Sequence, residues 1–330
     1  MTITNRTIFI AGGTGSWGQE LVRQLLAKNV GYIIIYSRGE LAQVNMMAKF
    51  NDSRIKYVIG DVRDYQQVLK HTKGVDIIFN LAALKHVPIC ENHPQEAIKT
   101  NINGTTNLIN ASIENKVRKF IMVSTDKAVA PTNLYGMTKA VCEKLTIQAN
   151  ALTKDTDFVC VRGGNVLGSN GSVVPFFIKK IKDTNTVPIT DKRMTRFFLT
   201  LEDAIHLLFQ AVGNSVGGEI FVMNMPSFRI VDLAEILIDV YGNKETKSYV
   251  TGIKEGEKID EILISEHETR NSFVLNDDYY VIFPEINTQR EYNHDSLTKV
   301  GFKTFSTQNK IENSEVLRQM LEKGGFLCQK

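Results

Sequence analysis

Short apolar runs alternate with amphipathic stretches along the first half of the chain. The runs at 7–11, 32–36, 55–59, 75–80, 120–124 and 158–161 have strand length and β-branched members, as strands buried on both faces do. Between them lie helical patterns, among them 20–28 and the stretch from Tyr135 through Ala140, Glu143 and Leu145. This rhythm predicts a parallel sheet covered by helices up to about residue 160. Beyond it a glycine- and asparagine-rich loop, 162–175, leads to an apolar, basic helix at 176–182. Amphipathic helices follow at 202–212 and 231–241; Ala204, Ile205, Leu208 and Val212 read as core. The stretch 265–330 is polar and irregular, with no repeat and no linker.

The first strand runs straight into Gly12-Gly-Thr14-Gly15-Ser16-Trp17-Gly18 and then a helix. Glycines at that spacing let the chain turn tightly, bring backbone close to a pyrophosphate and aim a helix N-terminus at the anion. The second strand ends in Ser37-Arg38, where an acidic residue would select NAD; a hydroxyl and a guanidinium suit a 2′-phosphate, so NADP is the expected cofactor. The other reading makes Arg38 a solvated surface charge and Glu40 the ribose ligand. Asp61-Val62 and Ala82-Ala83 end the third and fourth strands on the same edge, and the small alanines leave room for cofactor. The expected fold class is α/β: a Rossmann-like doubly wound parallel sheet with a smaller α/β substrate-binding domain. Residues 1–163 are expected to be mainly NADP-binding and 164–330 mainly substrate-binding, with some chain crossing back to the sheet.

The densest chemistry lies at 124–139, Ser-Thr-Asp-Lys-Ala-Val-Ala-Pro-Thr-Asn-Leu-Tyr-Gly-Met-Thr-Lys. Thr125, Asp126 and Lys127 close a strand at the ligand-binding edge of an open sheet. Tyr135 and Lys139 share a helix face four residues apart, and a cation near a phenol lowers its pKa toward that of a working base. His86 reads as a hydrogen-bonding wall residue. The turn at 252–258 is either bland surface or a phosphate holder.

Composition narrows the setting. The chain has 330 residues, 43% hydrophobic and 23% charged, with a net charge of +3, which calls for neither nucleic acid nor an anionic membrane. Cys90, Cys142, Cys160 and Cys328 lack metal-site spacing and read as reduced thiols in a cytoplasmic protein, with no metal site. No apolar run approaches the roughly 20 residues of a membrane span.

With glycine turn, Ser-Thr-Asp-Lys, Tyr-x-x-x-Lys and the later loops in this order, the chain resembles the extended short-chain dehydrogenase/reductase superfamily over nearly its full length. Ala83-Leu-Lys-His-Val-Pro88, Ser124-Thr-Asp-Lys127, Asn165-Val with Gly171-Ser-Val-Val-Pro175, Met194-Thr-Arg-Phe197 and Gly256-Glu-Lys258 look like the configuration-inverting UDP-N-acetylglucosamine 4,6-dehydratases, which open the pseudaminic acid route. The resemblance implies that Tyr135 removes the O4 proton as the C4 hydride passes to NADP+, with Lys139 on the ribose and Thr125 near O4. It further implies that Lys127 takes the C5 proton, Asp126 protonates the departing C6 hydroxyl, hydride returns to C6, and C5 is reprotonated from the opposite face. The implied product is UDP-2-acetamido-2,6-dideoxy-β-L-arabino-hex-4-ulose.

The same resemblance assigns Gly12, Thr14, Gly15, Ser16, Trp17, Gly18, Ser37, Arg38, Asp61, Val62, Ala82, Ala83, Lys85 and Asn101 to the cofactor, with Tyr135 and Lys139. It assigns Lys85, His86, Asn165, Ser172, Val173, Arg196, Glu257 and Lys258 to the UDP-sugar. Arg196 is the expected partner of a diphosphate oxygen, the bland alternative being a surface salt bridge. Retaining dehydratases carry Glu where Lys127 stands. A lysine base must be neutral, which Lys139 or an oxidised nicotinamide favours and Asp126 opposes. Gly163 replaces a tyrosine usual in relatives, and Gly39 an acidic residue. Relatives form homo-oligomers, dimers or hexamers. A C4 epimerase of the same UDP-sugar, and an NADP-binding sensor or scaffold, are the competing expectations.

Overall fold

The computed structural model describes residues 2–169, 171–294 and 296–327; Cys328 lies outside them. Six strands come from the alternating half of the chain: β1 (Thr7–Ala11), β2 (Tyr32–Ser37), β3 (Ile55–Ile59), β4 (Ile77–Asn80), β5 (Lys119–Thr125) and β6 (Asp157–Gly163). All are parallel, in the order β3-β2-β1-β4-β5-β6. The winding reverses between β1 and β4, which opens a crevice beyond the C-terminal ends of those strands. Their apolar residues, Ile8, Phe9, Ile10, Phe79 and Phe120 among them, are fully buried because helices cover both faces. This is the expected Rossmann-like, doubly wound fold.

Two helices begin earlier than the sequence pattern places them. The first helix, Ser16–Ala27, starts inside the glycine turn rather than at 20, and a later one, Val173–Thr184, starts ahead of Pro175. Proline is tolerated in a first turn, where its missing N–H has no helical acceptor. Around Thr100 and Asn101 the helix widens into a π-turn, Ile98–Asn103.

The stretch 265–330 is more regular than its polarity suggests. Ile220–Met223 lies parallel to β6, and the hairpin Ser272–Asn276 with Tyr279–Ile282 continues the sheet antiparallel to it. With Thr298–Lys299 at the edge the sheet reaches ten strands. Helix Ser314–Lys323 buries only Leu317 and Leu321, too thin a stripe to stand out in a polar sequence. Between these returns the chain builds a smaller lobe on Asn165–Val166, Thr195–Leu199 and Ser227–Arg229, around Phe177, Phe198, Phe228, Leu233 and Leu237. A buried charge cluster clamps the lobe's return segment to the sheet. Arg162 on β6 donates to Glu143, on the helix that carries Tyr135, at 2.7 Å, and to Glu268 at 2.6 Å.

Candidate active site

A cleft of about 1070 Å³ opens where the ends of β1, β2, β4 and β5 face the loop 163–173. Its floor depends on Gly12. That residue has φ 75°, and a methyl group in its place would come within 2.8 Å of the Ala82 amide nitrogen, so only glycine lets the two backbones cross. Thr14, Gly15, Ser16, Trp17 and Gly18 line the cleft beside it, followed by Ser37, Arg38, Asp61, Val62, Ala82, Ala83, Lys85, Tyr135 and Lys139. Arg38 is half-exposed and 3.9 Å from Asp61, whose carboxylate is held more closely by Arg63 at 2.6 Å. The Arg38 guanidinium therefore keeps donors available at the mouth. Asn101 lies behind the wall. Its side chain accepts from the Leu84 amide at 2.8 Å and donates to the Leu84 carbonyl and to Thr138, and so shapes the cleft without lining it.

Three buried hydroxyls facing this space, Thr100, Ser124 and Ser172, have no hydrogen-bond partner. Orphaned polar atoms in a concave site mark where a ligand's own polar groups belong. Neither Thr100 nor Ser124 was given a role from the sequence, although Ser124 opens the Ser-Thr-Asp-Lys motif. Glycine at position 163 also finds its reason here: the Trp17 ring lies 3.3 Å from where a side chain would begin, so the indole occupies that wall. His86 packs against Gly171, and Asn165, Ser172 and Val173 complete the far side.

At the end of β5, Asp126 is fully buried and Lys127 partly exposed. Lys127 Nζ donates to Asp126 Oδ1 at 2.9 Å, and Thr125 Oγ1 donates to the same oxygen at 2.9 Å. Asn133 starts the helix Leu134–Ala149, its side chain accepting from the Gly136 amide at 2.9 Å, which presents Tyr135 to the cluster. Gly136 has to be small because the Lys127 carbonyl packs against it.

The expectation of a lowered phenol needs correction. Burial pushes the Tyr135 phenol up to about 12, with Asp126 adding to the rise and Lys127 and the neighbouring Thr125 hydroxyl opposing it. The Lys139 amine lies 3.5 Å from Met122 Sδ, and burial lowers its own pKa. For Lys127, burial works against the charge, but Asp126 and Glu261 overcome it and raise the amine above its ordinary value.

The remaining predicted residues lie outside the cleft lining. Arg196 turns inward, donating to the Thr195, Lys258 and Ile259 carbonyls at 2.7, 2.9 and 3.0 Å, with Nε 3.7 Å from Glu261. It is neither a surface salt bridge nor exposed to the cleft. Glu257 accepts from the Lys254 amide at 3.0 Å and closes its own turn, while Lys258 donates to the Val129 carbonyl at 2.7 Å. Thr132 and Asn133 both donate to the Gly256 carbonyl, which seats the 252–258 turn over the start of the helix that carries Tyr135. Glu261 was missed. It is 2% exposed and 3.6 Å from Lys127, a contact across the fold that no local pattern announces.

Among the described residues there is no His, Cys, Asp or Glu cluster fit for a metal, and no helix long and apolar enough to cross a membrane. Residues 8–283 match the family described as polysaccharide biosynthesis protein, and the chain belongs to it. A UDP-N-acetylglucosamine 4,6-dehydratase (inverting) of Campylobacter jejuni is 44% identical over 302 residues, covering 90% of this chain and 89% of that protein. A UDP-glucose 4-epimerase of Rickettsia canadensis is 40% identical over 283 residues, covering 84% of this chain and 83% of that protein. The X-ray structure of Pen from Bacillus thuringiensis matches with a TM-score of 0.92 at 34% identity, covering 99% of this chain and 100% of that one.

Proposed function

We propose that this member of the polysaccharide biosynthesis protein family removes water from UDP-N-acetylglucosamine, giving the 4-keto-6-deoxy sugar nucleotide with C5 inverted. The observation that carries the reading is the Asp126–Lys127 pair, an acid and an amine 2.9 Å apart beside Tyr135. A C4 epimerase needs only the tyrosine. The name of the 44% identical Campylobacter jejuni protein supports the same choice.

The cradle over Gly12 and the orphaned hydroxyls fit a nicotinamide dinucleotide, and Ser37 with Arg38 favours NADP over NAD. When bound, that cofactor supplies a hydride acceptor for C4 and a hydride donor for C6. The protein moves the protons: Tyr135 takes that of O4, Lys127 that of C5, and Asp126 gives one to the C6 hydroxyl as it leaves as water. Lys139 serves the ribose, while Lys85, His86, Asn165, Ser172 and Val173 serve the sugar nucleotide. Arg196, Glu257 and Lys258 act by holding the 252–261 segment over the cluster.

The three cysteines among the described residues are free thiols and fit a cytoplasmic setting. We place the enzyme there as a homo-oligomer, a dimer or hexamer, at the opening of a route to pseudaminic acid or a related surface glycan. Proton NMR with UDP-N-acetylglucosamine in deuterated water tests the function. A new C6 methyl signal without added reductant, deuterium at C5 and L-arabino couplings are expected. A C4 epimer without a methyl would replace this reading with the activity named for the Rickettsia relative.

A further inference from the structure

Lys127 lies between two buried carboxylates. Asp126 Oδ1 is 2.9 Å from its amine and Glu261 Oε1 3.6 Å. The second oxygen of each acid, Asp126 Oδ2 and Glu261 Oε2, is buried with no hydrogen-bond partner. The main chain fixes Glu261 at this depth: its amide donates to Thr307 Oγ1 at 3.1 Å, and its carbonyl accepts from the Thr307 amide at 2.9 Å.

Two carboxylates on one amine, out of water, favour a state in which one of them holds a proton. Asp126 receives two close donors, from Thr125 and Lys127, each at 2.9 Å. Glu261 receives none. Its nearest cations, Lys127 Nζ and Arg196 Nε, stand at 3.6 and 3.7 Å, beyond hydrogen-bond length. We propose that Glu261 carries a proton in the working enzyme and is a positioning residue that acts through Lys127, leaving Asp126 as the one anion on the lysine. This rests on the dehydratase reading.

The consequence is a balanced proton cycle. With Glu261 neutral, the Lys127 ammonium passes a proton to Asp126 Oδ1, and one transfer creates both reactive forms, a neutral amine and a carboxylic acid. The amine takes the C5 proton and becomes ammonium again. The acid gives its proton to the C6 hydroxyl, which leaves as water, and returns to carboxylate. With Glu261 ionised, a second anion holds Lys127 as ammonium and the first transfer is disfavoured. The groups facing Glu261 agree: burial raises its carboxyl above the ordinary range and Asp126 adds to this, against Lys127, Arg196 and Lys258.

The test compares wild type with Glu261→Gln by infrared difference spectroscopy and by the pH profile of C5 deuterium exchange. Expected are a protonated-carboxyl C=O band at neutral pH that the variant lacks, and an alkaline limb displaced upward by about one pH unit or more with exchange kept at neutral pH. Carboxyl NMR of wild type labelled with carbon-13 glutamate reads the same proton if the variant fails to fold. The proposal is overturned if no such band is lost, if the folded variant is inactive at every pH, or if its profile is the wild-type curve scaled by a constant. Absence of the methyl product in wild type would sink the dehydratase reading separately, since the infrared arm reports the proton without turnover.

Discussion

The two walls of the cleft are made in different ways. The wall we assign to the cofactor is a series of strand ends: the turn after β1, Ser37-Arg38 at the end of β2, Asp61 after β3 and Ala82-Ala83 after β4. Each is placed by the strand before it. The wall we assign to the reaction is joined from remote pieces. Lys258 reaches Val129 across 129 residues, Asn133 reaches Gly256 across 123, and Lys127 faces Glu261. The cofactor wall should therefore survive changes in the lobe, whereas the reaction wall depends on how the lobe docks.

The sharpest break between the walls is Lys127→Ala, expected to cut dehydration by about 10²–10⁴-fold while NADP still binds. Product NMR reads the first, and quenching of the single tryptophan, Trp17, which lines the cleft, reads the second. Full activity in the variant would remove Lys127 from the reaction. Breaking the other wall, Arg38→Ala should weaken NADP by about 10–100-fold, the worth of one hydrogen bond to a charged group, and leave NAD nearly unchanged. Equal losses for both cofactors would return Arg38 to the role of surface charge.

A smaller effect sharpens the contrast at the seam. Asn133 caps its helix and also donates to Gly256, so Asn133→Ala should cost about 1–2 kcal/mol in urea denaturation. It should raise KM for the UDP-sugar more than the dissociation constant of NADP. The smallest effect is global. Burial pushes Tyr36, Tyr135, Tyr279 and Tyr292 up to about 12, above the ordinary tyrosine value of about 10. The unfolded chain loses these protons first, so their contribution is present below about pH 10 and is lost as pH rises toward 12. Melting temperature should fall across that window, and by less in Tyr279→Phe.

Much of the cofactor wall was legible because its signals are local. Strand, glycine turn and helix adjoin in sequence, and an apolar run buried on both faces advertises itself. Asn101 looked like part of this wall, yet its amide is spent on Leu84 and Thr138. The return strands at Ser272–Asn276 and Tyr279–Ile282 were hidden by polar neighbours and by pairing that only the assembled sheet supplies. Arg196 looked like a phosphate ligand because side-chain chemistry says nothing of direction; carbonyls of the 258–259 segment claim its donors.

By itself the sequence determined the order of strands and helices in the first half of the chain, the glycine turn and the ionisable groups gathered near one sheet edge, since periodicity and residue type act over a few positions. Tertiary structure decided the state of those groups. Burial raised the Tyr135 phenol, and the fold set Glu261, from a distant segment, beside the Asp126–Lys127 pair. Desolvation and through-space charge depend on what the fold brings near, and neither is written in the spacing of residues along the chain.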